Sequence, residues 1–326
     1  MSTVPRDQQS ASPGDETERP PRREVSLTDR YEKRSGLVYL SGLQALVRLP
    51  LDQARADREA GHRTGTLISG YEGSPLGGLD LEIGRRQKLM DEHGVVFRPA
   101  VNEELGSNAV QGSQLSSVVG EQTCDGVVGI WYGKAPGLDR STDAMRHGNL
   151  GGAAPTGGVL ALVGDDSTAK SSTVPSSSEM AMAEVGLTVL SPSDAQDVLV
   201  LGRHGIALSR FCGLWTGLKL ATNVVDGAMT VDLDATAVTP VIPDNTINGT
   251  PYRHTVSASF LQPHLAGLEE SLMNARPELA LRYARANGLN KIVGDRSARI
   301  GFVAHGATYL DTCLLYTSDA ADEGLG

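Results

Sequence analysis

The residues best placed by type and spacing to do chemistry are Asn102-Glu103-Glu104, which follow a short apolar strand, Val95-Val96-Phe97, and open a helix of unusually small residues. Two readings of that acidic start stand open. In the first, Asn102 caps the helix and the two glutamates occupy a first turn where the helix dipole favours negative charge. In the second, Glu103 faces a cofactor, because Gly106, Ser107, Gly112 and Ser113 give the helix little bulk and let a second backbone or a ring come close. Acidic first turns are common, so these residues alone do not choose.

Three other segments invite chemistry. The glycine-rich turn 70–78 follows a strand, but it lacks GxGxxG spacing and no GxxxxGK[ST] occurs, so the residues alone point to a plain strand-to-helix turn rather than a phosphate site. Tyr132-Gly133-Lys134-Ala135-Pro136-Gly137 ends an apolar strand with little side-chain bulk. It is either a turn or a loop lining a ring, with Lys134, Arg140, Arg146 and His147 as cations nearby, although an isolated lysine is usually solvated. Gly164-Asp165-Asp166 offers adjacent carboxylates of the kind Mg²⁺ takes. Beyond it comes a serine-rich run, 171–178, and Ser167 and Ser172 are the candidates there to face a substrate. With no GxSxG elbow, a hydrolase nucleophile is not indicated.

Taken together, and in this order and approximate spacing, Tyr71-Glu72-Gly73-Ser74-Pro75, Asn102-Glu103, residues 132–137 and Gly164-Asp165-Asp166-Ser167 resemble the N-terminal part of the indolepyruvate ferredoxin oxidoreductase family. The resemblance runs from about residue 27 to residue 311. Asn102-Glu103 with Gly112 nine positions on resembles the aminopyrimidine-binding helix of thiamine diphosphate enzymes, which implies that Glu103 is the catalytic glutamate hydrogen-bonding the cofactor ring. It likewise implies a cofactor-lining wall of Gly73, Ser74, Pro75, Gly133, Pro136 and Gly137. Ser74, Ser167 and Ser172 would meet the substrate, Ser74 standing where related enzymes carry a hydroxyl residue for the substrate carboxylate. The metal reading of Asp165 and Asp166 is set aside, because such enzymes hold Mg²⁺ through a GDG-type motif with a downstream Asn on a separate domain. The implied reaction is oxidative decarboxylation of an aryl 2-oxoacid, indolepyruvate-like, to its acyl-CoA with electrons to ferredoxin. Mg²⁺, diphosphate binding and the iron-sulfur cluster are expected on parts absent from this chain, and this stretch alone is expected to be inactive. Two rivals remain: a non-catalytic scaffold subunit of the same fold, and a nucleotide-binding oxidoreductase using the 70–78 turn.

The elements that must position these residues alternate strand and helix, the rhythm of a parallel-sheet α/β fold. Strands are expected at 66–69, 95–97, 126–131, 159–163, 187–190 and 211–220. Helices are expected from Leu37 to near Gly61, at 79–83, 103–118, 138–147, 179–185 and 193–208, the last opened by Ser193, and at 261–287, broken by Pro263 and Pro277. Residues 235–257, rich in Pro, Asn, Thr and Gly, read as a connector, and Ile300-Gly301-Phe302-Val303-Ala304 reads as a strand followed by a helix from Thr308. The expected organisation is a disordered tail, 1–26, a pyrimidine-binding module, 27–234, a linker and helical connector, 235–298, and the start of a second, transketolase C-terminal-like α/β domain, 299–313. Residues 314–326 resemble a translated sequencing adaptor and are expected to be an artificial end, the natural chain continuing further.

Composition bounds the rest. A chain of 326 residues with 40% hydrophobic and 21% charged side chains is ordinary globular material. Its net charge of −10 argues against non-specific attachment to nucleic acid or an anionic membrane. Three scattered cysteines with no CxxC pair encode neither a zinc ribbon nor a cluster site here, and a reducing cytoplasm is expected. No signal peptide or apolar run of membrane-spanning length is present. Pairing with a diphosphate-binding module, or homo-oligomerisation, is expected of a pyrimidine module.

Overall fold

A computed structural model of the chain describes residues 25–120, 122–166, 172–173 and 177–317. In chain order the elements are α1 (Asp29–Glu32), β1 (Leu37–Ser41), α2 (Gly42–Glu59), β2 (Thr64–Gly70), α3 (Leu79–Gly84), α4 (Gln87–Glu92), β3 (Val95–Phe97), α5 (Glu103–Val119), β4 (Gly126–Lys134), α6 (Ala135–Arg140), α7 (Thr142–Gly151) and β5 (Val159–Asp165). They continue with α8 (Ser178–Glu184), β6 (Thr188–Leu190), α9 (Ala195–Cys212), β7 (Thr216–Ala221), α10 (Thr222–Asp226), β8 (Ala228–Asp232), β9 (Thr246–Ile247), β10 (Thr250–Pro251), α11 (His264–Met273), α12 (Ala275–Ala286) and α13 (Ala307–Thr317).

Six strands form one parallel sheet in the order β3-β2-β4-β5-β7-β6. The central strand β5, Val-Leu-Ala-Leu-Val-Gly-Asp, is buried at every position. A strand covered on both faces reads in this way, as a continuous apolar run rather than an alternation. One face of the sheet packs Ile68, Ile130 and Leu162 against Leu46 and Leu49 of α2, Leu79 and Ile83 of α3, and Val198 and Ile206 of α9. The other packs Trp131, Ala161 and Trp215 against Val110 of α5, Leu138 of α6, Met145 of α7 and Met182 of α8. The α/β, parallel-sheet expectation therefore holds, with helices on both faces. Among the described residues no helix is long and apolar enough to cross a membrane.

Several local expectations are corrected. Residues 37–41 are a strand rather than the start of a helix, pairing antiparallel with β8 from Leu37 opposite Asp232 to Ser41 opposite Ala228. Helix α2 begins only at Gly42, where Ser41 and Gln44 form a reciprocal capping box, and it continues through Pro50. The expected strand 211–220 starts late: α9 runs on to Cys212, Gly213 terminates it at φ 81°, and pairing begins at Thr216. Asp194, not Ser193, caps α9, its carboxylate accepting from Asp197 N at 2.8 Å. The helix predicted over 138–147 is two, α6 and α7, and the 261–287 region breaks at Asn274 rather than Pro277. Residues 300–304 pair with no strand among the described residues, leaving Ile300, Phe302 and Val303 exposed; an apolar segment becomes a strand only beside a neighbour that takes its backbone hydrogen bonds. The expected tail, 1–26, and artificial end, 314–326, lie largely outside the described residues.

The connector is not loose. Asn248 (φ 50°) and Gly249 (φ 80°) make the turn between β9 and β10. Beyond them His254 wedges against Gly152 and Gly213, where any Cβ would overlap its ring, and its Nε2 lies 3.2 Å from the Gly151 carbonyl. From α12, the fully buried Arg276 donates to the carbonyls of Asn149 (2.7 Å) and Leu150 (3.2 Å) at the end of α7. On the opposite flank Arg210 of α9 grips Asp57 of α2 through two bonds of 2.7 Å. Burial pushes the Asp57 carboxyl up, but Arg210, Thr64 and Gln53 outweigh it and hold its pKa below the ordinary value.

Two predictions follow from these contacts. Arg210→Met strands the Asp57 carboxylate in the interior and should destabilise the chain by about 3 kcal/mol, read from urea midpoints. Burial first, then the charge of Arg276, lowers the His254 imidazole to about 4, whereas the unfolded chain takes that proton near pH 6.5. The unfolded state therefore binds more protons in that window. Stability present above pH 6.5 is lost as pH falls toward 4, by up to about 3 kcal/mol in total, and His254→Gln should lack that slope.

Candidate functional site

In an open parallel sheet the loops leaving the carboxyl ends of the strands make the natural crevice. Here the ends of β2 (Gly70), β4 (Lys134) and β5 (Asp165) lie side by side, Gly70 opposite Tyr132 and Lys134 opposite Gly164. The helix α5 starts at this same edge. Its capping follows the bland reading: Asn102 is extended and its side chain accepts from Leu105 N at 2.9 Å. The cap is thus provided without Glu103, whose side chain is released for another use.

Helix α5 approaches the sheet at backbone distance. A Cβ on Gly106 would stand 2.7 Å from the Gly70 Cα, and one on Gly129 would stand 2.8 Å from Val110. Gly112, by contrast, faces open space, so the close approach expected of the small residues is made at Gly106 and not there. Trp131 of β4 donates its indole N–H to the Glu103 carbonyl at 2.8 Å. The Glu103 side chain then lies in a glycine groove: a Cβ on Gly133 would be 3.2 Å from its Cγ, and one on Gly137 would be 2.5 Å from its Oε1. Glu103 is 8% exposed while Glu104 is half-buried.

No side chain or backbone group among the described residues hydrogen-bonds the Glu103 carboxylate. Every other buried ionic side chain there has a partner. Arg48 and Arg55 share Asp52, Asp57 has Arg210, and Glu82 takes the Tyr31 hydroxyl at 2.6 Å. Arg276 has carbonyls, Asp165 has Ser178, and Asp166 accepts from Ser172 at 3.2 Å. The Glu103 oxygens are not among the enclosed side-chain atoms left without a partner, so the carboxylate is reachable from outside at the mouth of the sheet.

The other candidates sort as follows. Gly73 lies under the Lys134 stem, whose Cδ would be 2.8 Å from a Cβ there, and Pro75 packs on Gly164 with 2.7 Å between its Cδ and the position of a Cβ. The 70–78 turn is thereby laid across the ends of β4 and β5, with Ser74 half-buried on it. Pro136 and Gly137 are in the first turn of α6 rather than in a loop, since β4 continues to Lys134. Ser172 is engaged with Asp166, and Ser167 lies outside the described residues. Asp165 secures the start of α8, accepting from Ser178 Oγ at 2.9 Å and Ser178 N at 3.3 Å, with Lys219 Nζ at 3.9 Å. Arg146 pairs with Glu184 and His147 meets Asp143 and Phe260, so neither is directed at Glu103.

Sequence reasoning missed Trp131, because a tryptophan inside an apolar strand reads as core. It also missed Asp80 and Tyr132 on the opposite face of β4. Burial raises the pKa of both, and each raises or tempers the other. Even so, neither Tyr132 OH nor Asp80 Oδ1 finds a partner in hydrogen-bond geometry.

No protein-family model and no curated protein matches the chain. Among solved structures it is similar to 2-oxoglutarate:ferredoxin oxidoreductase from Magnetococcus marinus, determined with 2-oxoglutarate, coenzyme A and succinyl-CoA bound. The TM-score is 0.55 at 11% identity, over 76% of this chain and 46% of that one. The likeness is one of fold, and the chain spans less than half the length of that neighbour.

The glycine groove makes a paired prediction. Gly137→Ala should drive the Glu103 carboxyl from its place and cost about 1–3 kcal/mol. Gly112→Ala, in open space on the same helix as Glu103, should be neutral or stabilising by up to about 1 kcal/mol. Denaturant midpoints of the two variants test this, and equal midpoints would mean that the groove does not confine the Glu103 side chain.

Proposed function

We propose that this chain supplies the aminopyrimidine half of a thiamine diphosphate site in a 2-oxoacid:ferredoxin oxidoreductase acting on an aryl, indolepyruvate-like 2-oxoacid. The observation that carries the reading is Glu103: a residue 8% exposed at the mouth of the parallel sheet, whose carboxyl has no hydrogen-bond partner among the described residues and is reachable from outside. The residues fit the group in that a mostly buried glutamate, lodged against Gly133 and Gly137, offers an unpartnered carboxyl to a ring nitrogen. Glu103 would hold a proton in a hydrogen bond to that nitrogen. Gly73, Ser74, Pro75, Gly133, Pro136 and Gly137 would form the wall, and Ser74, Ser167 and Ser172 would meet the 2-oxoacid. Bound there, thiamine diphosphate supplies the electron sink that lets a 2-oxoacid lose CO₂.

The fold neighbour supports a 2-oxoacid and coenzyme A as partners, having 2-oxoglutarate and coenzyme A bound, and its name supports ferredoxin as acceptor. On this reading Mg²⁺, the diphosphate contacts and an iron-sulfur cluster are provided by a further module or subunit, working in a reducing cytoplasm. The chain meets that module directly or as a homo-oligomer, and alone it does not reduce ferredoxin. The 70–78 turn lacks GxGxxG spacing and carries the Lys134 stem against Gly73, which weighs against the nucleotide-binding rival.

The test is calorimetry of the full chain with thiamine diphosphate plus Mg²⁺ against NADPH. Binding of the first alone is expected, weakened about ten-fold or more by Glu103→Gln, which equals loss of about 1.4 kcal/mol. Binding of NADPH, or an affinity for thiamine diphosphate indifferent to Glu103→Gln, would overturn the assignment in favour of the nucleotide-binding or scaffold reading.

A further inference from the structure

Among the described residues the Glu103 carboxyl has no hydrogen bond to hold it, so something else must fix where it points. Two features of β4 and α6 do so by shape, the missing Cβ atoms of Gly133 and Gly137. A third acts by direction. The indole N–H of the fully buried Trp131 is bonded to the carbonyl of Glu103 itself at 2.8 Å. The rim of the same indole fills the space beside Gly133, where a Cβ would stand 2.7 Å from Cη2 and 2.8 Å from Cζ2. One side chain thus holds the backbone of Glu103 and shares with the Glu103 Cγ the space left by the missing Cβ of Gly133.

A core tryptophan in this protein does not require such a partner. Trp215 belongs to the same cluster as Trp131, is equally buried, and leaves its indole N–H without an acceptor. The helix does not require the bond either, because Asn102 already caps it. A hydrogen bond that neither the core nor the helix needs, made to the one residue whose carboxyl must be aimed, is best explained by the aiming.

We infer that Trp131 is the positioning residue of the site: its indole N–H fixes the Glu103 carbonyl and so sets the carboxyl in the groove of Gly133 and Gly137. The inference rests on the thiamine diphosphate reading for its purpose, but not for its first test. The chain has two tryptophans, and replacing both with 3-benzothienylalanine keeps ring shape while deleting the N–H. Because Trp215 makes no bond through that atom, the substitution removes one hydrogen bond, that of Trp131.

The readout is the ¹³C-carboxyl resonance of Glu103 in the glutamate-labelled full chain, identified by its loss in Glu103→Gln. The expected result in the free protein is a shifted and broadened Glu103 resonance with the other glutamate signals and the fold retained. The affinity for thiamine diphosphate plus Mg²⁺ should fall about five-fold, the value of one hydrogen bond. An unchanged Glu103 resonance overturns the inference, as does a moved resonance with unchanged affinity. Should thiamine diphosphate leave the resonance of the unaltered chain in place, the cofactor reading fails instead, and the comparison of the free proteins still decides the role of Trp131. Where the analogue protein does not fold, Trp131→Phe is judged by the same signals. In the unaltered chain, the scalar coupling between the Trp131 ¹⁵Nε1 and the Glu103 carbonyl carbon measures the bond directly, and its absence overturns the inference.

Discussion

The contact on which the rest of this molecule depends is the seating of one helix on the sheet at the distance of two bare backbones. Gly106 of α5 rests on Gly70 of β2, where a methyl group on the first would collide with the Cα of the second. That approach is affordable only to glycine, and it lowers the start of α5 into the rim of the sheet instead of leaving it a side chain's thickness above. Once the helix is seated so low, its first residue is trapped between the ends of β4 and α6. The burial of Glu103 is thus a consequence of packing at positions 70 and 106 as much as of its own environment.

Burying a carboxylate in this way runs against the treatment of charge elsewhere in the fold. Arg48 and Arg55 answer Asp52 and backbone carbonyls, Asp57 is clasped by Arg210, and Arg276 closes the end of α7. These are structural charges, spending their hydrogen-bonding capacity on the protein. Glu103 spends its own on nothing among the described residues. The difference separates charges that hold the fold together from one whose carboxyl makes no such bond among the described residues.

The connector shows the same economy by other means. His254 enters the niche left by two glycines of positive φ, Gly152 and Gly213, and Tyr283 of α12 joins Leu208 and Cys212 of α9 in a small cluster of its own. The segment after Ser257 therefore extends the body of the module across α7 and α9. Beyond Leu289 the chain leaves that body, with Ile292, Val293, Ile300, Phe302 and Val303 all exposed, and it returns at Ala307, which packs on the core again. These apolar side chains have the character of a sheet or core and no surface here to pack on.

Much of this was legible in the residues. Continuous apolar runs such as 159–163 announce buried parallel strands, and small residues after Asn102-Glu103 announce a helix that must lie close to something. Local pattern failed where two elements share one hydrophobic run. Phe211 and Cys212 extend α9 because Gly213, two residues on, can turn left-handed, and Leu37 to Leu40 form a strand only because β8, almost two hundred residues later, lies beside them.

The sequence by itself determined the class of fold, the capped acidic helix start and the identity of its candidate carboxylate, since these depend on residue type and near neighbours. Tertiary structure alone decided that Glu103 is mostly buried, that Gly106 and not Gly112 makes the close approach, that Asp165 secures a helix, and that Trp131 grips the carboxylate's own backbone. Each of those joins residues distant in the chain, and a contact between strand and helix exists only once the sheet has brought both to one edge.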